Sequence, residues 1–367
     1  MNPEIRTGGH RRYLFLAQSL EKKGHEVTVL VNNACKNLPP FKNMISIPVN
    51  DSIKPKNLGL LWHAVKERKK LQHVSFDWIV IHGERHFPAA VFLKFYLKAP
   101  IQFSLRCDTV ESYILDLKEE KRLIKKTKLR YLIFKDRFME TLNLIFSRQI
   151  LLQGRLDYAN FVKRHKIGKD KCGIIPGNIN REKYDPRKEG INKSSALRKV
   201  LYVGNISTIK GIETLLDCAL VLQQSGSNLR ITIAGIGPQE EYMNEFIQSN
   251  SLKNIDYLGF CSEVFDLYKD NDLLVIPSQF DSFPDVTLEA FYAGIPVIAS
   301  NTGGLPEILE HEELLFARGN GRDLAEKLME IERDPKKYKK IKELSAMRKE
   351  IFDFDWTSAY ETELRES

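Results

Sequence analysis

Residues 277–307, PSQFDSFPDVTLEAFYAGIPVIASNTGGLPE, concentrate groups able to bind a phosphorylated polyol. Asp281 and Glu289 are the two acids of interest. Phe283 and Pro284 open a short helix between them, since proline is tolerated where its missing N–H has no helical partner. Gly294 ends that helix. The first-turn amides of Asp285, Val286 and Thr287, together with the helix dipole, can hold a phosphate. Glu289, about one turn further in, can accept hydrogen bonds from a ribose diol. Asp281, ahead of the helix, can accept them from sugar hydroxyls. Taken alone, a loop acid and a helical glutamate equally describe an ordinary surface.

The elements that must position these groups follow from the hydrophobic pattern. Short apolar runs alternate with longer helical stretches: HEVTVLV, ISIPV, WIVIHG, PIQFSL, ILLQG and CGIIPG, then KVLYVG, LRITIAG, IDYLGF, DLLVIPS, IPVIAS and ELLFA. That alternation predicts an α/β fold with parallel sheets. A length of 367 residues suits two domains. Residues 180–198 are polar and turn-rich and read as a linker. The expected division is a first domain over 1–179, a second over 199–345, and a final helix over 346–367 that returns to the first. Ligand is expected at the carboxyl ends of the strands. The chain opens on a glycine loop, Thr7-Gly8-Gly9, which in a doubly wound domain follows a strand. The first domain is therefore expected to lack its first strand.

Composition narrows the class. No apolar run reaches the roughly 20 residues needed to span a bilayer, and MNPEIRTGG does not resemble a signal peptide. The five cysteines are scattered, which argues against a zinc site or a disulfide framework and suits a reducing cytosol. The net charge of +8 is uneven, with a basic cluster over residues 118–137, KEEKRLIKKTKLRYLIFKDR. Leu117, Ile124, Leu129, Leu132 and Ile133 are at helical spacing there. The segment reads either as a solvated surface helix or as a basic amphipathic helix on an anionic membrane surface. No nucleic-acid signature accompanies the charge, so nucleic acid is not an expected partner.

Most of the chain, with residues 35–150 the least specific, resembles family 4 of the retaining glycosyltransferases, group 1, which have the GT-B fold of two Rossmann-like domains facing a cleft. The resemblance rests on Asp281, Glu289, Gly294, Pro296, Val297, Gly303, Gly304 and Glu307 in that order, and on YVGNISTIKGIETLL, ITIAGIGPQEEY, IDYLGF and the aromatic end of the chain. It implies a metal-independent hexosyltransferase using a nucleotide-diphosphate sugar, with UDP or GDP expected and no separate cofactor. The acceptor would be a hydroxyl, as in surface polysaccharide or glycolipid synthesis. Glu289 matches the acid that holds the donor ribose, and Asp281 the acid that positions the sugar. The backbone around Asp285, Val286, Thr287 and Leu288 matches the phosphate cradle, and Phe283 and Pro284 are counted with the donor-binding residues. Lys210 matches the lysine that steadies the leaving diphosphate, where a fixed cation lowers the barrier as charge develops. Gly204 and Asn205 lie in the phosphate loop, and Gly259 and Phe260 where backbone holds the base. The scattered cysteines and the N-terminus suit a cytoplasmic protein, peripheral to the inner face of a membrane if the basic helix docks there.

Several positions depart from the family. Asp281 is one methylene shorter than the usual glutamate, and Asn205 stands where an arginine is common. Arg11, Arg12 and Arg106 are candidate replacements for that cation. Arg106 also occupies the place of a first-domain histidine, for which His82 and His86 are neighbouring candidates; Gly8 and Gly9 form the acceptor-side loop. These departures motivate a second reading, a non-catalytic member that binds a sugar nucleotide or a partner. A third, a dinucleotide-dependent oxidoreductase, lacks the GxGxxG fingerprint after the first strand of either domain.

Overall fold

The computed structural model describes residues 8–32, 41–47, 61, 64–72, 74–82, 87–105, 107–119, 122–179, 187 and 189–366. Thr7, His86, Arg106 and part of the 180–198 linker lie outside the described residues. So do residues 1–7, where any strand before the glycine loop would fall.

The chain divides into two units, Met1–Ile175 with Trp356–Ser367, and Pro176–Asp355. In the first, β1 (Thr28–Asn32) and β2 (Asn43–Ile47) pair in parallel. Strands β3 (Ile79–His82), β4 (Ile101–Leu105), β5 (Gln149–Leu152) and β6 (Cys172–Ile174) form a second parallel sheet in that order. Parallel strands are covered on both faces, which is why β4 and β5 are buried along their whole length. Ile101, Phe103 and Ile150 form the centre of this core.

Gln102 and Ser104 are the polar members of β4, and both are buried. Gln102 Nε2 donates to Ser104 Oγ at 3.0 Å, and Tyr360, from helix Trp356–Glu366, adds a hydroxyl that bonds Gln102 Oε1 and lies 3.1 Å from Ser104 Oγ. Phenylalanine at Tyr360 removes a hydrogen bond from a site only 1% exposed. It is expected to lower stability by about 1–3 kcal/mol, the cost of a buried polar group left unsatisfied. A denaturant melt with an unchanged midpoint would contradict this account of the helix.

The second unit holds one six-stranded parallel sheet. Its strands are β7 (Lys199–Val203), β8 (Arg230–Ala234), β9 (Ile255–Gly259), β10 (Leu273–Ile276), β11 (Val297–Ser300) and β12 (Leu315–Phe316), in the order β12-β11-β10-β7-β8-β9. The chain builds outward from β7 through β8 to β9, then returns to the other side of β7 to build β10, β11 and β12. The strand order therefore reverses between β7 and β10, and ligands in such sheets bind outside the carboxyl ends at that switch point.

Two sequence expectations are corrected here. Residues 346–367 are not one helix. Helix Pro335–Ile351 ends at Phe352, and a new helix starts at Trp356. The Phe352 carbonyl accepts the Ile179 N–H at 2.7 Å, and its ring packs edge-on against Phe283. Both contacts draw the residue away from helical continuation. The 118–137 segment is also not one helix with one inward stripe. It is shared between helices Thr109–Glu119 and Leu123–Phe146, with Leu129, Leu132 and Ile133 partly buried but Ile124 86% exposed.

Candidate functional site

The site is assembled where β7 and β10 end. Leaving β7, the chain passes Gly204 and Asn205 and makes the short turn Thr208–Lys210. Gly211 follows in the left-handed region, at φ +73°, and any Cβ there would lie 1.7 Å from the Pro277 carbonyl oxygen. Only glycine lets these backbones approach so closely. The Gln279 N–H donates to the Ile209 carbonyl at 2.9 Å, lacing the loop after β10 to the turn after β7. Lys210 is thereby delivered to Asp281, and its Nζ donates to Asp281 Oδ2. Asp281 is 13% exposed, so its charge is held in a sheltered place beside a cation.

The loop carrying Asp281 is braced from β11. The Gly304 N–H donates to the Asp281 carbonyl at 2.9 Å. A side chain at Gly304 would strike the Ser282 carbonyl oxygen at 1.9 Å. Thr302 Oγ1 donates to the Gln279 carbonyl and Ser300 Oγ to that of Ser278. This accounts physically for the paired glycines read in the sequence. Burial, with the nearby Asp281 charge adding to it, pushes the Tyr202 hydroxyl well above the usual tyrosine range. Tyr202 instead donates to the Asn205 carbonyl at 2.8 Å, shaping the loop.

Helix Asp285–Ala293 starts after Pro284 and stops at Gly294, at φ +78°. No side chain caps its first turn. The Thr287 N–H is donated to the Pro284 carbonyl at 3.1 Å, so that amide is committed within the turn rather than offered to a phosphate. Phe283 and Leu288 bury their side chains in the core, which leaves only their backbone to face a ligand. Glu289 is partly buried on this helix and its Oε2 accepts from Tyr268 Oη at 3.1 Å. Tyr268 is fully buried on helix Val264–Asp270, and its carbonyl accepts from Asn192. Tyr268 fixes the glutamate, and nothing in its local sequence pattern announces that role.

At the other edge of the sheet, β9 ends in Gly259 at φ +68°, whose carbonyl accepts the Gly235 N–H at 2.7 Å. Phe260 follows and is 58% exposed. The end of β9 lies two strand spacings from β7, on the order of 10 Å. Asn205 is exposed and Gly204 partly so. The acceptor-side candidates lie in the first unit. Gly8 and Gly9 begin helix Gly8–Lys22. His82 closes β3 with its ring stacked on Tyr13 at an interplanar angle of 21°. Arg12 lies over the Trp356 ring.

Residues 184–346 match the family described as glycosyl transferases group 1. An uncharacterized glycosyltransferase of Methanocaldococcus jannaschii is 27% identical over 318 residues, covering 81% of this chain and 77% of its own length. Among solved structures, sucrose-phosphate synthase from Thermosynechococcus elongatus aligns with a TM-score of 0.75 at 17% identity, covering 99% of this chain and 94% of its own. HepE from Anabaena, solved with UDP and glucose, aligns at 0.72 and 16%, covering 98% and 95%. The fold is that of two Rossmann-like domains shared by these glycosyltransferases.

Proposed function

We propose that this chain, a group 1 glycosyltransferase, moves a hexose from a nucleotide-diphosphate sugar, UDP or GDP by preference, to an acceptor hydroxyl with retention at the anomeric carbon. The observation that carries this reading is the meeting of Lys210 and Asp281 at the switch point of the second sheet, next to the helix that bears Glu289. A donor laid along the carboxyl edge of that sheet would set its base near Gly259 and Phe260 and its ribose on Glu289. The diphosphate would lie between Lys210 and the first turn of helix Asp285–Ala293. Asp281 would hold the sugar hydroxyls and, through its ion pair, keep the Lys210 ammonium aimed. As the sugar–phosphate bond breaks, charge grows on the diphosphate, and a prepositioned cation and helix terminus stabilise it more than they stabilise the bound donor. We assign that charge stabilisation to this chain's own groups rather than to a metal. A saccharide or lipid-linked hydroxyl suits the acceptor role.

The reading is tested by thermal shift of the purified chain against UDP, GDP, ADP and TDP and their sugars. One nucleotide is expected to stabilise the second unit by about 2.7 kcal/mol at a hundredfold excess over its Kd. Anomeric configuration is then read by NMR of the product. A shift without turnover on any acceptor would favour the non-catalytic reading. No shift with any nucleotide would overturn the donor site.

A further inference from the structure

Helix Leu123–Phe146 carries apolar residues on two sides, with Met139, Leu142 and Phe146 packed on the core and a second row turned outward. Its buried residues are Asp136, Glu140 and Asn143. Its outward face carries Ile124, Tyr131, Phe134, Phe138 and Ile145, which are 86%, 63%, 71%, 55% and 62% exposed. With Thr127 and Thr141, these positions advance in alternating steps of three and four residues, so they form one straight stripe. The two threonines do not interrupt it. Their hydroxyls are turned back onto the helix, donating to the Leu123 and Arg137 carbonyls at 3.1 and 2.8 Å.

The polar inner face has its own partners. Glu140 accepts from Arg164 Nε and Nη2, both at 2.9 Å, and from His165 at 2.9 Å. Arg164 also binds Asp108, and Asp136 accepts from Thr109 Oγ1 at 3.0 Å. This network, together with Met139, Leu142, Leu144 and Phe146 packed on the core, holds the helix to its unit. Burying ion pairs costs desolvation, and exposing a continuous row of bulky apolar groups forgoes their burial.

We propose that this outward face docks onto an anionic lipid surface. The charge pattern selects that occupant. Lys128 and Lys135 border the stripe on one side, Arg130 and Arg137 on the other. A second copy packed along the same seam would set these cations against their equals, and like charges at such flanking positions oppose pairing. Lipid phosphates instead complement them while the aromatic rings enter the headgroup boundary. The apolar surface continues past the helix end to Phe95, 67% exposed, whose ring meets Phe146 edge-on. No helix among the described residues is long and apolar enough to cross a membrane. The stripe, about 33 Å long at helical rise, therefore lies on the surface rather than spanning it. This inference rests on the first unit alone and does not depend on the sugar donor.

The test is flotation of the full chain with vesicles of phosphatidylcholine, with and without phosphatidylglycerol. The chain is expected to float with the anionic vesicles, and to be released by salt. Partitioning of the exposed double variant Phe134→Ser/Phe138→Ser is expected to fall roughly 100-fold, with its thermal midpoint unchanged. Arg130→Glu/Arg137→Glu is expected to lose the preference for anionic vesicles. As an independent readout, Phe138→Trp should show blue-shifted emission on those vesicles. The proposal is overturned if the chain stays in the pellet fraction with both vesicle types. It also fails if the serine variant floats as the parent does. A concentration-dependent dimer abolished by that variant, without vesicle binding, would assign the stripe to a second copy instead.

Discussion

Alanine at Lys210 is expected to lower kcat by about 10²–10³-fold, the scale seen when one prepositioned group for a developing anion is removed. The donor KM should move much less. The reason is timing: the diphosphate gains charge only as its bond to the sugar breaks, so the ammonium contributes most at the transition state. Two further effects follow from the geometry. Asp281, 13% exposed, loses its ion-pair partner, so a sugar held there as proposed should also lose orientation. Arginine should restore only part of the rate, because its planar fork cannot occupy the space of a compact ammonium between Asp281 and the laced turn. Steady-state kinetics on the donor decides the matter. A variant with unchanged kcat and a raised KM would assign Lys210 to ground-state binding.

Glu289 is expected to govern affinity instead. Alanine there should weaken donor binding by about 10²-fold, from the loss of one or two charge-assisted hydrogen bonds of about 1.5–3 kcal/mol each. It should also cost stability, because the fully buried Tyr268 hydroxyl loses the acceptor that lies 3.1 Å away. A buried donor left unsatisfied costs about 1–3 kcal/mol. The two effects separate with Glu289→Gln, whose amide oxygen still accepts from Tyr268 but carries no charge for the ribose. Its melting midpoint should recover more than its donor affinity. Calorimetric binding of the donor nucleotide checks both, and an alanine variant that binds donor normally would remove Glu289 from the site.

The fold was largely legible. Each of the twelve described strands falls on a largely apolar run visible in the sequence, because parallel strands covered on both faces are mostly apolar. The glycines at 303 and 304 and the Pro284–Gly294 helix were legible for a similar reason, since each reflects a backbone demand that only those residues meet. What was not legible depends on partners remote along the chain. Tyr268 reaches Glu289 across two helices, and Phe352 breaks its helix because Ile179 claims its carbonyl. The helix over Leu123–Phe146 carries two apolar arcs, and periodicity alone cannot say which one faces inward. The buried Asp108, Glu140 and Arg164 settle it, and their pairing is set by tertiary structure.

The first unit is closed by residues that come after the whole of the second unit in the chain. Its sheet contains β3 to β6, yet a hydroxyl that bonds Gln102 and Ser104 belongs to Tyr360. During synthesis, every residue of the second unit is made before that tyrosine. The later-made unit is thus the first that can be complete, and the earlier-made one must wait with polar groups of β4 still wet. Domains that fold as they are made usually do so from the amino end. Here the first unit lacks its Tyr360 contact until the second unit has been made, so the reverse order is expected.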